Sequence, residues 1–478
     1  MSGQVLFVIS IFNYHREVEP IVDKFIQGGW EVDVLLGWQD QDALIAEKEY
    51  ISKGANVIWT PFEMAYGSGF PEKKHFANTK ENIAKRQETL PYRLQDVKKI
   101  LKNISIIQFA AEVLFHHRRI TRLKEFSAQI LDRGKYDIVF QGPFHSVGKL
   151  DNTVYTLAKQ RNLPNYCYPV SAYHGRSNAI MSRKQNISAG MVQPNLYKDN
   201  NFINRIIAFI FPHWLEKFEG KVFFLSHPSL MYASYLQGVE LEDIWAKPQP
   251  GFDSIFVFSN FSKSLLDDGR FPMEKVQVCG VPLLDKAIMR LSCREEEHKL
   301  YDHINLTPDD NFILLNVEPS FEHHYCEEEI HWKRFDQLMK TVSEIEMPVV
   351  LSLHPLCNYN NYKHVIKEYG FNISSDYKIH DLYPFCSLVL SFACSTNIFA
   401  EMFGKPLVIY DFFDLTTKNS PRAAEFRLPN AKFCYNFQDI KIELSKIAQI
   451  EVKEKLTSQQ TPMASDKVFN YITNLPRN

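Results

Sequence analysis

Apolar residues fill nearly every position of VLFVISIF (5–12), too continuously for a strand with one wet face, and the pattern predicts a central parallel strand. The following EVEPIVDKFIQGGWEVDVLLGW reads as helix, Gly-Gly stop and second strand, a β-α-β start. ANVIWT (55–60) and YDIVFQG (136–142) supply further strands, separated by a helical region of about 80–132 that exceeds a plain crossover. Short apolar runs bounded by polar or turn residues, NYCYPV (165–170), KVFFLS (221–226) and SIFVFS (254–259), extend the series. FSKSLLDDGRFPMEKVQVCGVPLLDKA (261–287) then gives a helix, a Gly turn, a strand and the breaker Gly280-Val281-Pro282.

A second series starts at 312: FILLNVEP, a helix over 328–345, PVVLSLHP, a helix near 360–369, SLVLSF, a short helix at 396–403 and PLVIYDFF. Two successive α/β series predict an α/β chain of two doubly wound, Rossmann-like domains facing a central cleft, with ligands at the carboxyl ends of the strands. The expected boundaries are 1–285, carrying the helical insertion, and 286–464, with a last helix in 465–478 crossing back to the first domain.

Composition narrows the function classes. A chain of 478 residues that is 45% hydrophobic can bury two cores, and a formal charge of −2 gives no pull toward nucleic acid. Eight cysteines without a C-x-x-C pair suit reduced thiols rather than a disulfide frame. No basic-then-apolar leader precedes the first strand and no uncharged apolar run reaches bilayer length, so a cytoplasmic protein is expected. NFINRIIAFIFPHWLEKF (201–218) is apolar but interrupted by Arg205, Pro212, His213 and Lys217. It is expected as a helix pair buried between domain and insertion. The alternative lays it peripherally on the inner face of the cytoplasmic membrane, with HHRRITRLK (116–124) adding charge for anionic lipid.

Candidate chemistry concentrates in SFACSTNIFAEMFGKPLVIYD (391–411), a strand end, a small-residue turn, a short helix and another strand. Ser395, Thr396 and Asn397 at the helix start can cap its free N–H groups, and the same donors with the helix dipole attract phosphate.

These stretches resemble a known superfamily. VLSLHP followed by IHDLYPFCSLVLSFACSTNIFAEMFGKPLVIYD resembles the nucleotide-binding half of GT-B glycosyltransferases, especially bacterial enzymes of capsule and lipopolysaccharide assembly. IFVFSNFSKSLLDDGRFPMEKVQVCGVPLLDKA resembles a segment those enzymes share with UDP-N-acetylglucosamine 2-epimerases and CDP-glycerol glycerophosphotransferases. In bacterial sialyltransferases and related CMP-sugar transferases, an HP motif and a Ser-Ser or Ser-Thr motif hold the donor nucleotide. The resemblance therefore implies that His354 and Pro355 fill the first role and Ser395 and Thr396, with Asn397, the second. It also places Gly280 among the donor-binding residues. Many GT-B enzymes carry a glutamate five residues before the helix-ending glycine, where this chain has Phe399 and its glutamate is Glu401. The epimerases' Ser-Gly-Gly turn, paired glutamates and arginine-rich motif are not present.

What the resemblance implies is a glycosyltransferase moving a sugar from a nucleotide donor, CMP-linked before UDP-linked, to a glycan or lipid-linked glycan. The alternatives are an epimerase and a non-catalytic glycan- or partner-binding module. His354 and the helix start at Ser395 would stabilise the departing nucleotide without a metal or other cofactor. A base for the acceptor hydroxyl is sought in the first domain, with His15 in the loop after the first strand as first candidate. His145, His174 and the pair Asp267-Asp268 are the others on the acceptor side. SFEHHYCEEEIHWKRF (320–335) offers His323, His324, Cys326 and His331, but its spacings only partly meet a metal site, and glutamates in a first helical turn are explained by the dipole. The loop after FILLNVEP is expected to face the cleft, with Glu318, Ser320 and His323 lining the donor site.

Overall fold

The computed structural model describes residues 3–10, 12–38, 41–61, 105–143, 147–169, 202–218, 221–246, 248–267, 271–290, 293–322, 326–354, 357–374, 377–412, 427–448 and 463–475. The chain divides into two compact units: Met1–His15, Phe25–Tyr168 and Gln193–Ile255 in one, Arg16–Lys24, Pro169–Val192 and Phe256–Asn478 in the other.

Through the first sheet the elements are β1 (Gln4–Ile9), α1 (Phe12–Gln27), β2 (Glu31–Leu36), α2 (Gln41–Lys53), β3 (Asn56–Trp59), α3 (Ser105–Gly134), β4 (Ile138–Gln141), α4 (Leu150–Gln160) and β5 (Asn165–Cys167). They continue with α5 (Phe202–Ile210), β6 (Leu215–Phe218), β7 (Lys221–Phe224), α6 (Pro228–Leu236), β8 (Ser254–Val257), α7 (Asn260–Ser264) and β9 (Val276–Val278). The sheet order is β3-β2-β1-β4-β5-β8-β9, with β1 parallel to both β2 and β4. Covered on both faces, β1 buries every residue from Val5 to Ile9, which is why its sequence lacks alternation. Leu6 and Val8 meet Leu123 and Leu131 of α3 and Val154 of α4. On the other face Phe7 stacks on Phe140 with ring centroids 5.0 Å apart.

Two expectations change here. KVFF does not extend the parallel series: β7 pairs antiparallel with β6 in a separate ribbon, Leu215 opposite Phe224. Two short strands so close in sequence close on each other before either can reach the sheet. Nor is 201–218 a buried helix pair: α5 ends at Ile210, before Pro212, and buries only Ile203 and Ile207. Of the helical region expected over about 80–132, α3 covers the last part, and residues before 105 lie outside the described residues.

In the second unit follow α8 (Asp285–Arg290), α9 (Arg294–His303), β10 (Ile313–Val317), α10 (Glu328–Ser343), β11 (Val349–Leu353), α11 (Tyr359–Tyr369), β12 (Asn372–Ser374), α12 (Ile379–Leu382) and β13 (Leu388–Phe392). The chain closes with α13 (Ile398–Met402), β14 (Leu407–Tyr410), β15 (Ala431–Cys434), α14 (Phe437–Ala448) and α15 (Ala464–Thr473). The sheet is parallel, in the order β12-β11-β10-β13-β14-β15. Alternate side chains serve two cores. Leu314, Val350 and Val389 pack with Leu300 and Phe399 on one face, while Leu315, Leu351 and Leu390 pack with Phe335, Leu338 and Leu444 on the other.

The last helix is fixed within this unit. Buried Asp285 accepts hydrogen bonds from the Ala464 N–H at 2.9 Å, the Ser465 N–H at 2.9 Å and the Ser465 hydroxyl at 2.5 Å. Gly280, at φ +101°, lets the backbone pass close to this helix, since a Cβ there would sit 3.2 Å from the Ala464 Cβ. Lys24 pairs with Asp466 at 2.8 Å. Among the described residues no helix is long and apolar enough to cross a membrane.

Candidate functional site

Numbered by appearance, the second sheet runs third, second, first, fourth, fifth, sixth, so the connections leave β10 and β13 in opposite directions. Such a switch point opens a crevice at the carboxyl ends of those two strands, where ligands bind in doubly wound sheets. Here the loop Glu318–Ser320 follows β10, the turn Cys394–Asn397 follows β13, His354 follows β11 and Asp411 follows β14.

The turn after β13 is knit together from inside. Asn316, the polar residue near the end of β10, donates its side-chain amide to Ser391 Oγ at 3.1 Å, Cys394 Sγ at 3.3 Å and Thr396 Oγ1 at 3.4 Å. Asn397, only 1% exposed, donates its amide to the Phe392 carbonyl at 2.7 Å. Cys394 donates to Asn397 Oδ1 at 3.3 Å. A 3-10 turn over Ser395–Asn397 leads into α13, and no side chain caps either start, so of the two readings of this turn the side-chain cap is not realised. Thr396 and Asn397 spend their polar groups on the turn itself. Ser395 is half-buried, and its hydroxyl has no hydrogen-bond partner among the described residues. Helix α13 ends at Gly404, φ +60°, where Lys405 N–H returns to the Ala400 carbonyl at 2.8 Å.

Across the switch point, Glu318 and Ser320 line a cavity of about 20 Å³ together with His331, Arg334, Tyr410 and Phe412. That volume holds about one water molecule and no nucleotide. Glu318 is buried, its N–H donates to Tyr410 Oη at 3.2 Å, and the tyrosine in turn donates to the Asn316 carbonyl at 3.0 Å. Burial pushes the Glu318 carboxyl up to about 8, with nearby Asp411 adding to the rise and Arg334 opposing it. The group is therefore largely protonated at neutral pH.

Behind the cavity runs a chain of polar contacts that sequence reasoning missed. Ser320 Oγ lies 2.6 Å from His331 Nδ1, His331 Nε2 lies 3.0 Å from Tyr362 Oη, and Tyr362 donates to Cys357 Sγ at 3.5 Å. Cys326 donates to Ser320 Oγ at 3.7 Å. Burial lowers His331 to about 4, so its ring is neutral. In the sequence His331 stood out only as a metal-ligand candidate, and it serves instead as a hydrogen-bond hub.

His354 is half-buried at the end of β11, with its carbonyl accepting from Cys357 N–H at 2.8 Å. A Cβ at Gly280 would sit 3.2 Å from the Ala464 Cβ and 3.6 Å from the Met402 Cε. In the first unit His15 lies inside α1, not in the loop after β1. It is 4% exposed, with Nδ1 2.8 Å from Tyr50 Oη and Nε2 3.0 Å from Glu49 Oε2. The exposed Asp267 closes a turn after α7, its N–H donating to the Ser264 carbonyl at 3.2 Å. Pro355, His145, His174, Asp268 and His323 lie outside the described residues.

Two solved structures align along almost the whole chain. One is the glycotransferase of kitacinnamycin, with a TM-score of 0.52 and 10% identity, over 98% of this chain and 99% of that one. The other is a Listeria monocytogenes protein provisionally named UDP-N-acetylglucosamine 2-epimerase, with a TM-score of 0.50 and 11% identity, over 100% of this chain and 98% of that one. The chain has the GT-B fold. No protein-family model and no curated protein sequence matches it. At such identities the GT-B likeness speaks for the fold, and the chemistry must come from the residues at its switch points.

Proposed function

We propose that the chain is a GT-B glycosyltransferase that moves a sugar from a nucleotide donor, a CMP-sugar before a UDP-sugar, to a glycan or lipid-linked glycan in surface-polysaccharide assembly. The observation that carries the proposal is Ser395, whose hydroxyl has no partner among the described residues at the head of the turn that closes the β10/β13 switch point. Its neighbours Thr396 and Asn397 hold that turn in shape through Asn316 and Phe392. A rigid turn with an available hydroxyl and the first N–H groups of a helical segment suits the phosphate of a departing nucleotide, where negative charge develops.

In this mechanism Ser395 and the turn's backbone receive the phosphate, with His354, at the end of β11 on the other side of β10, supplying further stabilisation. No metal is required for that step. Thr396 and Asn397 act mainly by holding the turn. Both ring nitrogens of His15 already face protein partners, Tyr50 and Glu49, which weakens its candidacy as the acceptor's base. We therefore assign the base to no residue.

Thermal unfolding with CMP, UDP, CDP and their sugar conjugates, with and without a chelator, tests the proposal. A ligand at about 100 times its Kd stabilises the folded state by about 2.7 kcal/mol, enough to raise Tm by several degrees. One nucleotide should raise Tm regardless of chelator, and Ser395→Ala should lose that shift. No shift with any nucleotide would overturn the proposal. Conversion of UDP-N-acetylglucosamine to its 2-epimer without an acceptor would replace it with an epimerase.

A further inference from the structure

The exposed face of α3 changes character along its length. At the N-terminal end the outward positions are Ile106 (55% exposed), Ile107, Leu114 (50%) and Phe115, and the same face continues one and two turns later with Arg118 and Arg122. Helix α5 repeats the pattern in nine residues. Ile203 and Ile207 face inward, while Phe202, Ile206, Phe209 and Ile210 face outward beside the exposed Arg205. Phe209 is 88% exposed, more than any core function could explain.

Aromatic contacts join these helices through α6. Phe109 of α3 lies 6.3 Å from Tyr232, and Phe211, just past α5, lies 4.9 Å from Tyr235. Tyr235 and Leu236 add exposed area between them. Apolar residues, tyrosines and arginines thus share one side of the first unit. Of the acidic groups nearby, Glu112 is 3.5 Å from His227, and the exposed Glu125 stands one turn past Arg122.

We propose that this face docks on an anionic lipid surface, with α5 and the first half of α3 set among the acyl chains and the exposed Arg118 and Arg205 at the headgroups. Apolar side chains gain by leaving water, and arginines at the rim gain from lipid phosphates, so a short amphipathic helix lies in the interface without spanning it. A protein partner would meet the apolar residues equally well. The arginines bordering both apolar helices favour a surface carrying many negative charges. The proposal does not depend on the donor chemistry, because lipid binding needs no nucleotide.

Co-sedimentation of the full chain with phosphatidylcholine vesicles, with and without phosphatidylglycerol, tests it. Binding should be strong only with phosphatidylglycerol and should weaken with salt. Phe209→Asp should reduce partitioning by about tenfold or more without lowering Tm, since the side chain is exposed. Arg118→Ala with Arg205→Ala should remove most of the salt dependence and leave residual apolar binding. Failure of the wild type to bind either vesicle, or unchanged binding by Phe209→Asp, would overturn the proposal. So would a dimer without vesicles that Phe209→Asp converts to monomer, since the face would then be an interface between copies.

Discussion

Ser320 Oγ and His331 Nδ1 lie 2.6 Å apart inside the second unit, and the same imidazole reaches Tyr362 through its other nitrogen at 3.0 Å. Because Tyr362 donates onward to Cys357, it accepts from Nε2–H, which leaves Nδ1 to accept the Ser320 hydroxyl proton. One tautomer of a neutral ring therefore satisfies three buried groups. It also fixes the rotamer of a side chain that lines the cavity after β10.

His331→Leu should leave the Ser320 and Tyr362 hydroxyls short of a partner and cost about 2–3 kcal/mol, read as a lower urea midpoint. The pH dependence has a definite sign. The unfolded histidine takes up its proton near 6.5, while the folded one resists until about 4, so acidification through that window favours unfolding. The wild type should lose stability from about pH 6.5 down to about pH 4, and His331→Leu should lose less. Equal slopes in the two proteins would mean that the ring is not neutral in the folded state.

Glu318 has the opposite sign. Its carboxyl titrates at about 8 in the folded state against 4.5 when unconstrained, so the folded protein holds a proton that the unfolded chain releases. Stability contributed by this site is complete below about 4.5 and is lost as pH rises toward 8. Glu318→Gln, which keeps the shape and cannot ionise, should become progressively more stable than the wild type across that range, by about 1.4 kcal/mol per pH unit at most. Paired denaturant titrations from pH 5 to pH 8.5 would measure it, and a constant difference would count against a buried protonated carboxyl.

Ser395→Ala and Asn397→Ala separate a ligand contact from a scaffold. Asn397 is buried and holds the Phe392 carbonyl, so its loss should cost about 1–3 kcal/mol, whereas Ser395→Ala should change stability by less than about 0.5 kcal/mol. Nucleotide-dependent stabilisation should nevertheless vanish in Ser395→Ala. A large loss of intrinsic stability in that variant would make Ser395 part of the turn's framework.

The central strands of both sheets were legible in the sequence because they are buried on two faces and read as plain apolar runs, whereas the edge strands Asn372–Ser374 and Ala431–Cys434 are short and partly exposed and were not expected. The position of KVFF was not, since an apolar run carries no record of its pairing partner, and nearness to Leu215–Phe218 decided the hairpin. His354 and the Ser395 turn were placed at strand ends by the apolar runs that precede them and singled out by the resemblance. The internal bonds of that turn could not be located, although Asn316 and Ser391 gave a signal: they are polar residues within strands otherwise apolar. His331 was hidden by its neighbours, because a histidine among glutamates suggests a ligand until its ring is seen between a serine and a tyrosine.

Gly280 is placed by resemblance among the donor-binding residues. Its φ of +101° disfavours any residue with a Cβ, and a Cβ there would sit 3.2 Å from the Ala464 Cβ, at the start of α15. Gly280→Ala should therefore cost about 1–3 kcal/mol and loosen α15. Asp285→Ala should act on the same helix by another route, removing the acceptor for Ala464 N–H and Ser465 N–H. Limited proteolysis with mass detection would then show earlier cleavage near residue 464 in both variants. If Gly280→Ala instead resists cleavage like the wild type but no longer responds to nucleotide, Gly280 contacts the ligand and the close approach to α15 is incidental.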